Sequence, residues 1–135
     1  MTLVREAMVS EPATLAASSS AVDAGARLAQ PDVRAVLVAD ADGRLVGVVT
    51  RTTLVREVVA AGRDPRATTL GEIAEAPRFT IDADMDVDDA FQLLEQHDLE
   101  RVPVLEGGRL VGVLSRSVLQ RRLAEDELPG DTPAE

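Results

Sequence analysis

The chain has 135 residues and carries 24 acidic side chains against 14 basic ones, all of them arginine, for a formal net charge of −10. A chain of this length can bury a core of ordinary size, and its 45% apolar content excludes general disorder. The negative charge argues against nucleic-acid binding, which depends on clustered Lys and Arg.

The N-terminal segment shows neither a secretion signal nor a membrane helix. No basic stretch followed by an apolar one opens the sequence, and no apolar run approaches the roughly 20 residues that span a bilayer. We therefore expect a cytoplasmic protein without a membrane partner. The first predicted elements are a short helix over Leu3 to Met8 and a small strand at Ala13 to Leu15.

Ser20 begins the next predicted helix. Its hydroxyl and the Asp23 carboxylate have the spacing of a capping box, and the helix is expected to run for about three turns and to end near Pro31. Two short apolar runs then flank a glycine-bearing turn. These runs, Ala35 to Val38 and Leu45 to Val49, predict a β-hairpin.

Thr50 stands where the N-cap of a further helix belongs. The helix that follows has apolar residues in pairs one turn apart, and Gly62 is its expected C-terminal stop. The paired residues are Leu54, Val55, Val58 and Val59.

The second half of the chain repeats the first. Residues 43–54 reappear 65 positions later as residues 108–119, with eight of the twelve identical, and upstream of the hairpin turn the offset is 66. The same elements are therefore predicted again. They are helices at Leu70 to Ala74, from Asp86 to near His97 and after the N-cap Ser115, and strands at Phe79 to Ile81, Arg101 to Leu105 and Leu110 to Leu114.

This duplication predicts an α/β (α+β) fold of two pseudo-symmetric repeats, each a small sheet with flanking helices. We assign residues 1–67 to the first repeat and residues 68–124 to the second. Residues 125–135 are acidic and rich in Pro and Gly, which predicts a disordered tail.

Two sequence motifs resemble those of CBS domains, and their tandem arrangement resembles the paired form called the Bateman module. They are Arg101-Val102-Pro103-Val104 before the hairpin turn and Gly-Arg-Leu-Val-Gly-Val-Val-Thr-Arg at residues 43–51 after it, and the resemblance covers about residues 1–124. It implies that two repeats pack through their sheets around a pseudo-twofold axis. It further implies two clefts that bind AMP, ATP or S-adenosylmethionine, and regulation by binding rather than catalysis.

The resemblance also implies which residues contact a ligand. Thr50 and Ser115 would offer hydroxyls to a ribose, and the position three residues after each is Asp in nucleotide-binding relatives but Thr53 and Val118 here. Because valine cannot accept a hydrogen bond, the first cleft is expected to bind better. The remaining candidates are Thr14 and Thr80 beside the base, Val36 and Val102 on the cleft floor, and Arg51 and Arg101 near an anionic group.

Several of these features have simpler interpretations. Thr50 and Ser115 would cap their helices in any case, and Arg51 could extend into solvent. His97, the single histidine, suits a helix C-terminus better than a metal site. The acids from Asp82 to Asp88 lack the Gly and Glu of a calcium loop, and cysteine is absent, so we expect no metal site.

No catalytic motif is present. The sequence contains neither a nucleophile elbow nor a phosphate loop, so we predict that the protein is not an enzyme and requires no cofactor. We expect a stand-alone sensor that forms a homodimer through apolar helix faces and acts on a protein partner. The alternative is a structural or protein-interaction module that binds no nucleotide.

The charge is unevenly divided between the two repeats. Residues 1–67 carry 8 acids and 8 arginines, whereas residues 68–124 carry 11 acids and 6 arginines. An anionic ligand should therefore prefer the first repeat.

Overall fold

The computed structural model describes residues 2–10 and 14–121. Its elements confirm the predicted α/β class with two repeats of similar order. In chain order they are α1 (Val4–Ala7), β1 (Val9–Ser10), β2 (Thr14–Ala16), α2 (Ala21–Leu28), β3 (Ala35–Ala39), β4 (Leu45–Thr50), α3 (Arg51–Leu54), a π-helical turn (Val55–Val59), α4 (Leu70–Ile73), β5 (Ile81–Asp82), α5 (Val87–Gln96), β6 (Arg101–Glu106), β7 (Arg109–Ser115) and α6 (116–121). The expected acidic tail lies outside the described residues.

The described residues form two compact units, and each draws on more than one stretch of chain. One unit comprises residues 14–78 and 107–110, and the other comprises residues 2–10, 79–106 and 111–121. The N-terminal segment therefore packs with the second repeat, while the segment that contains α4 packs with the first. Within the described ranges no helix has the length and apolar character needed to cross a membrane. The cytoplasmic location stays a prediction.

The unit of residues 14–78 is built on a three-stranded sheet of order β2-β3-β4. Strand β2 runs parallel to β3, and β3 runs antiparallel to β4, as expected for the predicted hairpin. Helix α2 buries Ala21, Ala24 and Leu28 against this sheet's core. The other fully covered members of the cluster are Val36, Val38, Val49, Val58, Leu70 and Ile73.

The start of α2 follows the prediction and its end does not. The Asp23 N–H donates to Ser20 Oγ over 3.3 Å, and the Ser20 N–H donates to Asp23 Oδ2 over 3.4 Å, which confirms the capping box. The helix ends at Leu28 after eight residues, short of the three turns expected. A residue before proline disfavours helical backbone, which excludes Gln30 from the helix and shortens it.

The other unit contains a four-stranded sheet of order β1-β7-β6-β5. Strand β1 was not predicted, and it pairs antiparallel with β7. Strand β5 begins at Ile81, so Thr80 precedes the strand rather than lying within Phe79 to Ile81 as predicted. Helix α5 begins after its predicted cap Asp86, whose carboxylate accepts from the Asp88 N–H. The aliphatic core of this unit includes Val4, Ile81, Val87, Leu94, Val102, Val104, Leu114 and Leu119.

The helix after Thr50 changes from α-helical to π-helical hydrogen bonding, whereas a regular α-helix was expected. One α-helical turn is followed by a π-helical turn, in which the Ala60 N–H donates to the Val55 carbonyl over 2.7 Å. Val58 is buried, whereas Val55 and Val59 are 58% and 73% exposed. Gly62 lies just beyond with φ +73°, a backbone conformation suited to a helix stop.

Candidate functional site

The candidate site of the first repeat lies at one end of the three-stranded sheet. Strand β4 ends there at Thr50, which is paired with Ala35 at the start of β3. Thr14 begins β2 and is paired with Leu37 one strand away. The sheet therefore brings Thr14, Val36 and Thr50 to the same end, although the Val36 side chain is buried in the core.

Thr50 and Thr53 cap α3 through reciprocal hydrogen bonds. The Thr53 N–H donates to Thr50 Oγ1 over 3.2 Å, and the Thr50 N–H donates to Thr53 Oγ1 over 3.0 Å. The two hydroxyl oxygens are themselves 3.0 Å apart. Thr50 is half-buried, whereas Thr53 is 0% exposed. Because the Thr53 side chain is buried, it contributes to the site by hydrogen bonding to residues that are more exposed.

Glu75 is the neighbour that the sequence did not reveal. The Thr53 hydroxyl donates to Glu75 Oε2 over 2.7 Å, and Arg56 Nη2 donates to the same oxygen over 2.6 Å. The hydrogen bond from Thr53 lowers the pKa of Glu75 below its ordinary value, and Arg56 acts in the same direction, while partial desolvation opposes them. An ionised carboxylate thus stands beside the two threonines.

The backbone of Glu75 is fixed against β4 at a glycine. Val48 N–H donates to the Glu75 carbonyl over 2.8 Å, and Glu75 N–H donates to the Val48 carbonyl over 2.9 Å. A Cβ on Gly47 would stand 2.6 Å from the Glu75 carbonyl oxygen, closer than any side chain tolerates. Glycine at position 47 is therefore what allows Glu75 to reach Thr53.

Arg51 is used within the fold. Its Nη2 donates to the Gln30 carbonyl over 3.0 Å and to the Val33 carbonyl over 2.8 Å. These carbonyls follow the end of α2, so the guanidinium holds the connection between α2 and β3. The two sequence-based predictions for Arg51 were contact with an anionic ligand group and exposure to solvent. Neither prediction included these hydrogen bonds to backbone carbonyls.

The equivalent end of the second repeat is less polar. Ser115 is largely buried, and its hydroxyl lies 3.1 Å from that of Ser117. Val118 stands where the first repeat has Thr53. Val9 occupies the position equivalent to Glu75. Val9 pairs with Val113 and Glu75 pairs with Val48, and Val48 and Val113 are equivalent positions 65 residues apart. By sequence Glu75 lies in the second repeat and Val9 in the first, but each packs with the sheet of the other repeat. The polar pair at the sheet end of residues 14–78 is thus a pair of valines at the other sheet end.

Of the other residues predicted to contact a ligand in the second repeat, one is buried in the core and two are exposed. Val102 is buried within the sheet. Arg101 is exposed at the first residue of β6, and Thr80 is exposed immediately before β5. These three residues lie at the same sheet end as Ser115.

The side chains that could bind a metal ion are dispersed in the part of the chain that the structure describes. No three His, Cys, Asp or Glu side chains in the described ranges are grouped so that they could hold a metal ion. His97 instead stacks on Phe79, with ring centroids 4.3 Å apart.

The order of elements, the two matching sheets and the family comparison define the class of this protein: the chain belongs to the CBS domain family. The CBS domain matches twice, at residues 4–60 and 70–125. The resemblance seen in the sequence is therefore confirmed.

Individual relatives support the same assignment. The chain is 30% identical to hypoxic response protein 1 of Mycobacterium tuberculosis over 125 residues, which span 93% of this chain and 87% of that protein. A crystal structure of hypoxic response protein I with two coordinated zinc ions superposes with a TM-score of 0.74 at 28% identity, covering 89% of this chain and 98% of that one.

Two further solved structures share the fold. CBSX2 in complex with AMP has a TM-score of 0.75 at 22% identity, covering 94% of this chain and 99% of that one. The hexameric CBS-CP12 protein from bloom-forming cyanobacteria has a TM-score of 0.62 at 24% identity, covering 99% of this chain and 76% of that one.

Proposed function

We propose that this CBS pair is a regulatory module that binds an adenosine nucleotide at the sheet end of its first repeat and passes the signal to a protein partner. The observation that carries the proposal is the polar end of the first sheet, where Thr50, Thr53 and Glu75 meet. The AMP complex of CBSX2, which has the same fold, supports an adenosine ligand. The near-neutral charge of residues 1–67 supports an anionic one.

We propose the following roles for the candidate contacts. Thr50 offers a half-buried hydroxyl. The backbone around Val36 lies on the adjacent strand β3, and Thr14 lies on β2, at the far side of β3. Arg51 acts indirectly, by holding the turn after α2. In the second repeat, Thr80, Arg101, Val102 and Ser115 form a weaker version of the site.

We do not propose that this protein binds zinc as its mycobacterial relative does. The chain has no cysteine and one histidine, and zinc in proteins is held mainly by these two residue types. We propose that the module acts by ligand binding rather than catalysis and needs no resident cofactor.

Calorimetric titration with AMP, ATP and S-adenosylmethionine tests the binding proposal. We expect at least one of the three to bind, and binding of none would refute it. Thr50→Ala and Ser115→Ala form a matched pair, because each removes an N-cap hydroxyl at the equivalent helix start. Thr50→Ala should weaken binding, whereas Ser115→Ala should leave the tighter site unchanged.

The near-ultraviolet spectrum gives an independent test. The chain contains no Trp, Tyr or Cys, so the protein itself absorbs little in this range. A band near 260 nm in the purified protein, removed by denaturation and filtration, would identify a retained nucleobase.

We further propose a homodimer that forms through an apolar groove between α2 and the π-helical turn. The groove is open to solvent, has a volume of about 540 Å³ and is lined by Val22, Gly25, Leu54, Val58 and Val59, among others. Val22 and Val59 are exposed valines, and the hexameric state of CBS-CP12 supports self-association in this fold. A second copy offers the same apolar surface, which makes the contact self-complementary.

Light scattering tests the dimer. Val59→Arg should convert a dimer to a monomer, because it places a charge in the groove. Thr52→Arg is the matched control, since it adds the same charge to α3 at an exposed position outside the groove. A monomeric wild type, or a Val59→Arg variant that remains dimeric, would refute the assignment.

A further inference from the structure

We propose that Glu75 recognises the ribose of the ligand by accepting hydrogen bonds from its vicinal hydroxyls, and that it makes the first repeat selective for ribonucleotides. The inference rests on the proposed function, because it assigns the sugar specificity of that same site. Glu75 lies outside the set of residues expected from the family, and its role follows from its contacts.

The carboxylate of Glu75 has one oxygen engaged and one available. Thr53 and Arg56 both donate to Oε2, at 2.7 and 2.6 Å. Oε1 accepts no hydrogen bond from the described residues, and the side chain is 50% exposed. Two donors on one oxygen fix the orientation of the carboxylate, so Oε1 remains an available acceptor on a carboxylate that is linked to Thr50 through the Thr53 hydroxyl.

This geometry suits a sugar diol. An ionised carboxylate only accepts hydrogen bonds, and the 2′ and 3′ hydroxyls of a ribose can both donate to it. Acidic side chains bind ribose hydroxyls in the same way in dinucleotide-binding folds. A free anion would be repelled by Glu75, whereas a neutral diol would not. The sugar rather than the phosphate of a nucleotide therefore fits this position.

The two repeats of the chain provide an internal comparison. Position 75 corresponds to Val9 and position 53 to Val118, so both members of the polar pair are replaced together. The supporting backbone is the same in both repeats: a Cβ on Gly112 would meet the Val9 carbonyl oxygen at 2.8 Å, as one on Gly47 would meet Glu75. The second repeat therefore keeps the close approach but has no acceptor for a diol.

A purely structural role for Glu75 predicts different behaviour. If the carboxylate served only to tie α3 to the segment after α4, its loss would lower the stability of the fold. It would then weaken the binding of ribonucleotides and deoxyribonucleotides by the same factor. Sugar discrimination distinguishes these two roles.

The test compares AMP with 2′-deoxy-AMP and 3′-deoxy-AMP by calorimetry. A hydrogen bond to a charged acceptor corresponds to about 10- to 100-fold in affinity, so wild type should bind each deoxynucleotide at least about tenfold more weakly than AMP. Glu75→Gln should bind AMP as weakly as wild type binds the deoxynucleotides, and the difference between the sugars should largely disappear.

Glu57→Gln is the matched control. Glu57 also accepts a hydrogen bond from Arg56, at 3.1 Å, so both variants remove one acid and one carboxylate partner of the same arginine. Glu57→Gln should retain the sugar preference of wild type. Circular dichroism verifies that each variant is folded. Should Glu75→Gln unfold, Glu75→Asp keeps the charge beside Arg56 and should reduce the preference by shortening the side chain.

The outcomes separate this inference from the proposed function. If wild type binds AMP and the deoxynucleotides equally, or if the folded Glu75 variants keep the sugar preference, the inference is overturned while nucleotide binding stands. If wild type binds no adenosine compound at all, the proposed function fails and the inference falls with it.

Discussion

Replacing Gly47 by alanine should detach the segment that carries Glu75 from the edge of β4. The added Cβ would lie 2.6 Å from the Glu75 carbonyl oxygen and 3.0 Å from Ala74 Cβ. The first of these neighbours is backbone, so no side-chain rotation can relieve the contact. The segment that holds Glu75 must move away from β4, which breaks the two hydrogen bonds between Val48 and Glu75.

The expected loss follows from these contacts. Two backbone hydrogen bonds contribute about 1 kcal/mol each, and forced local repacking costs about 1 to 3 kcal/mol. Gly47→Ala should therefore lower the free energy of unfolding by about 3 to 5 kcal/mol. Because the Thr53–Glu75 hydrogen bond depends on the same approach, sugar discrimination should weaken as well.

Gly25→Ala is a control of opposite sign. Gly25 lies inside α2 with an ordinary helical φ, and an added Cβ would meet only Leu54 Cδ1 at 3.9 Å. Alanine is the better helix former by about 0.5 to 1 kcal/mol, so this variant should be slightly more stable than wild type.

Urea unfolding followed by far-ultraviolet circular dichroism measures both variants. The method suits a chain that has no tryptophan or tyrosine to report by fluorescence. All samples need the same protein concentration, chosen so that each is monomeric, because Gly25 lines the proposed dimer groove and self-association shifts the apparent stability. Gly47→Ala with wild-type stability would show that the close approach at β4 is not required and would refute the account of the site.

Three further predictions concern the charged network, the core and a helix cap. The pKa of Glu75 is lowered in the folded state, so the stability that its ionised carboxylate contributes is present above the ordinary pKa of 4.5 and is lost as the pH falls through the lower folded-state pKa. The difference in unfolding free energy between wild type and Glu75→Gln, measured in urea, should therefore shrink on acidification below pH 4.5. A difference that stays constant with pH would contradict this. Leu94→Ala should cost about 2 to 5 kcal/mol because Leu94 is fully buried, and the adjacent, partly buried Leu93→Ala should cost clearly less. Ser20→Ala should cost about 1 kcal/mol through loss of the cap of α2, whereas Ser19→Ala, one residue earlier, should lie within about 0.5 kcal/mol of wild type.

The fold could be predicted from the sequence because its main signals are local or repeated. The match of residues 43–54 with 108–119 predicted two similar hairpins, and the Ser20 and Asp23 spacing predicted the start of α2. What escaped prediction is non-local. Strand β1 consists of two residues whose partner lies more than 100 positions away, and the π-helical turn leaves no mark in the apolar periodicity.

The candidate site was predicted in part for the same reason. Thr50 and Thr53 lie three residues apart in a recognisable cap, so the sequence singled them out. Glu75 is 22 residues from Thr53, and its contact depends on a glycine in a third segment. One signal was available: the paired change from Glu75 and Thr53 to Val9 and Val118 is visible once the repeats are aligned.

The division of the chain into its two units has a consequence for folding order. Residues 14–78 supply almost all of one unit, so on the ribosome that unit can begin to fold before the second half of the chain is made. The other unit needs Val4 to meet residues near Leu114 and Leu119, which closes a loop of more than 100 residues. The N-terminal segment must therefore wait, with Val4 and Ala7 uncovered, until its partners are synthesised, and this unit should form last and more slowly.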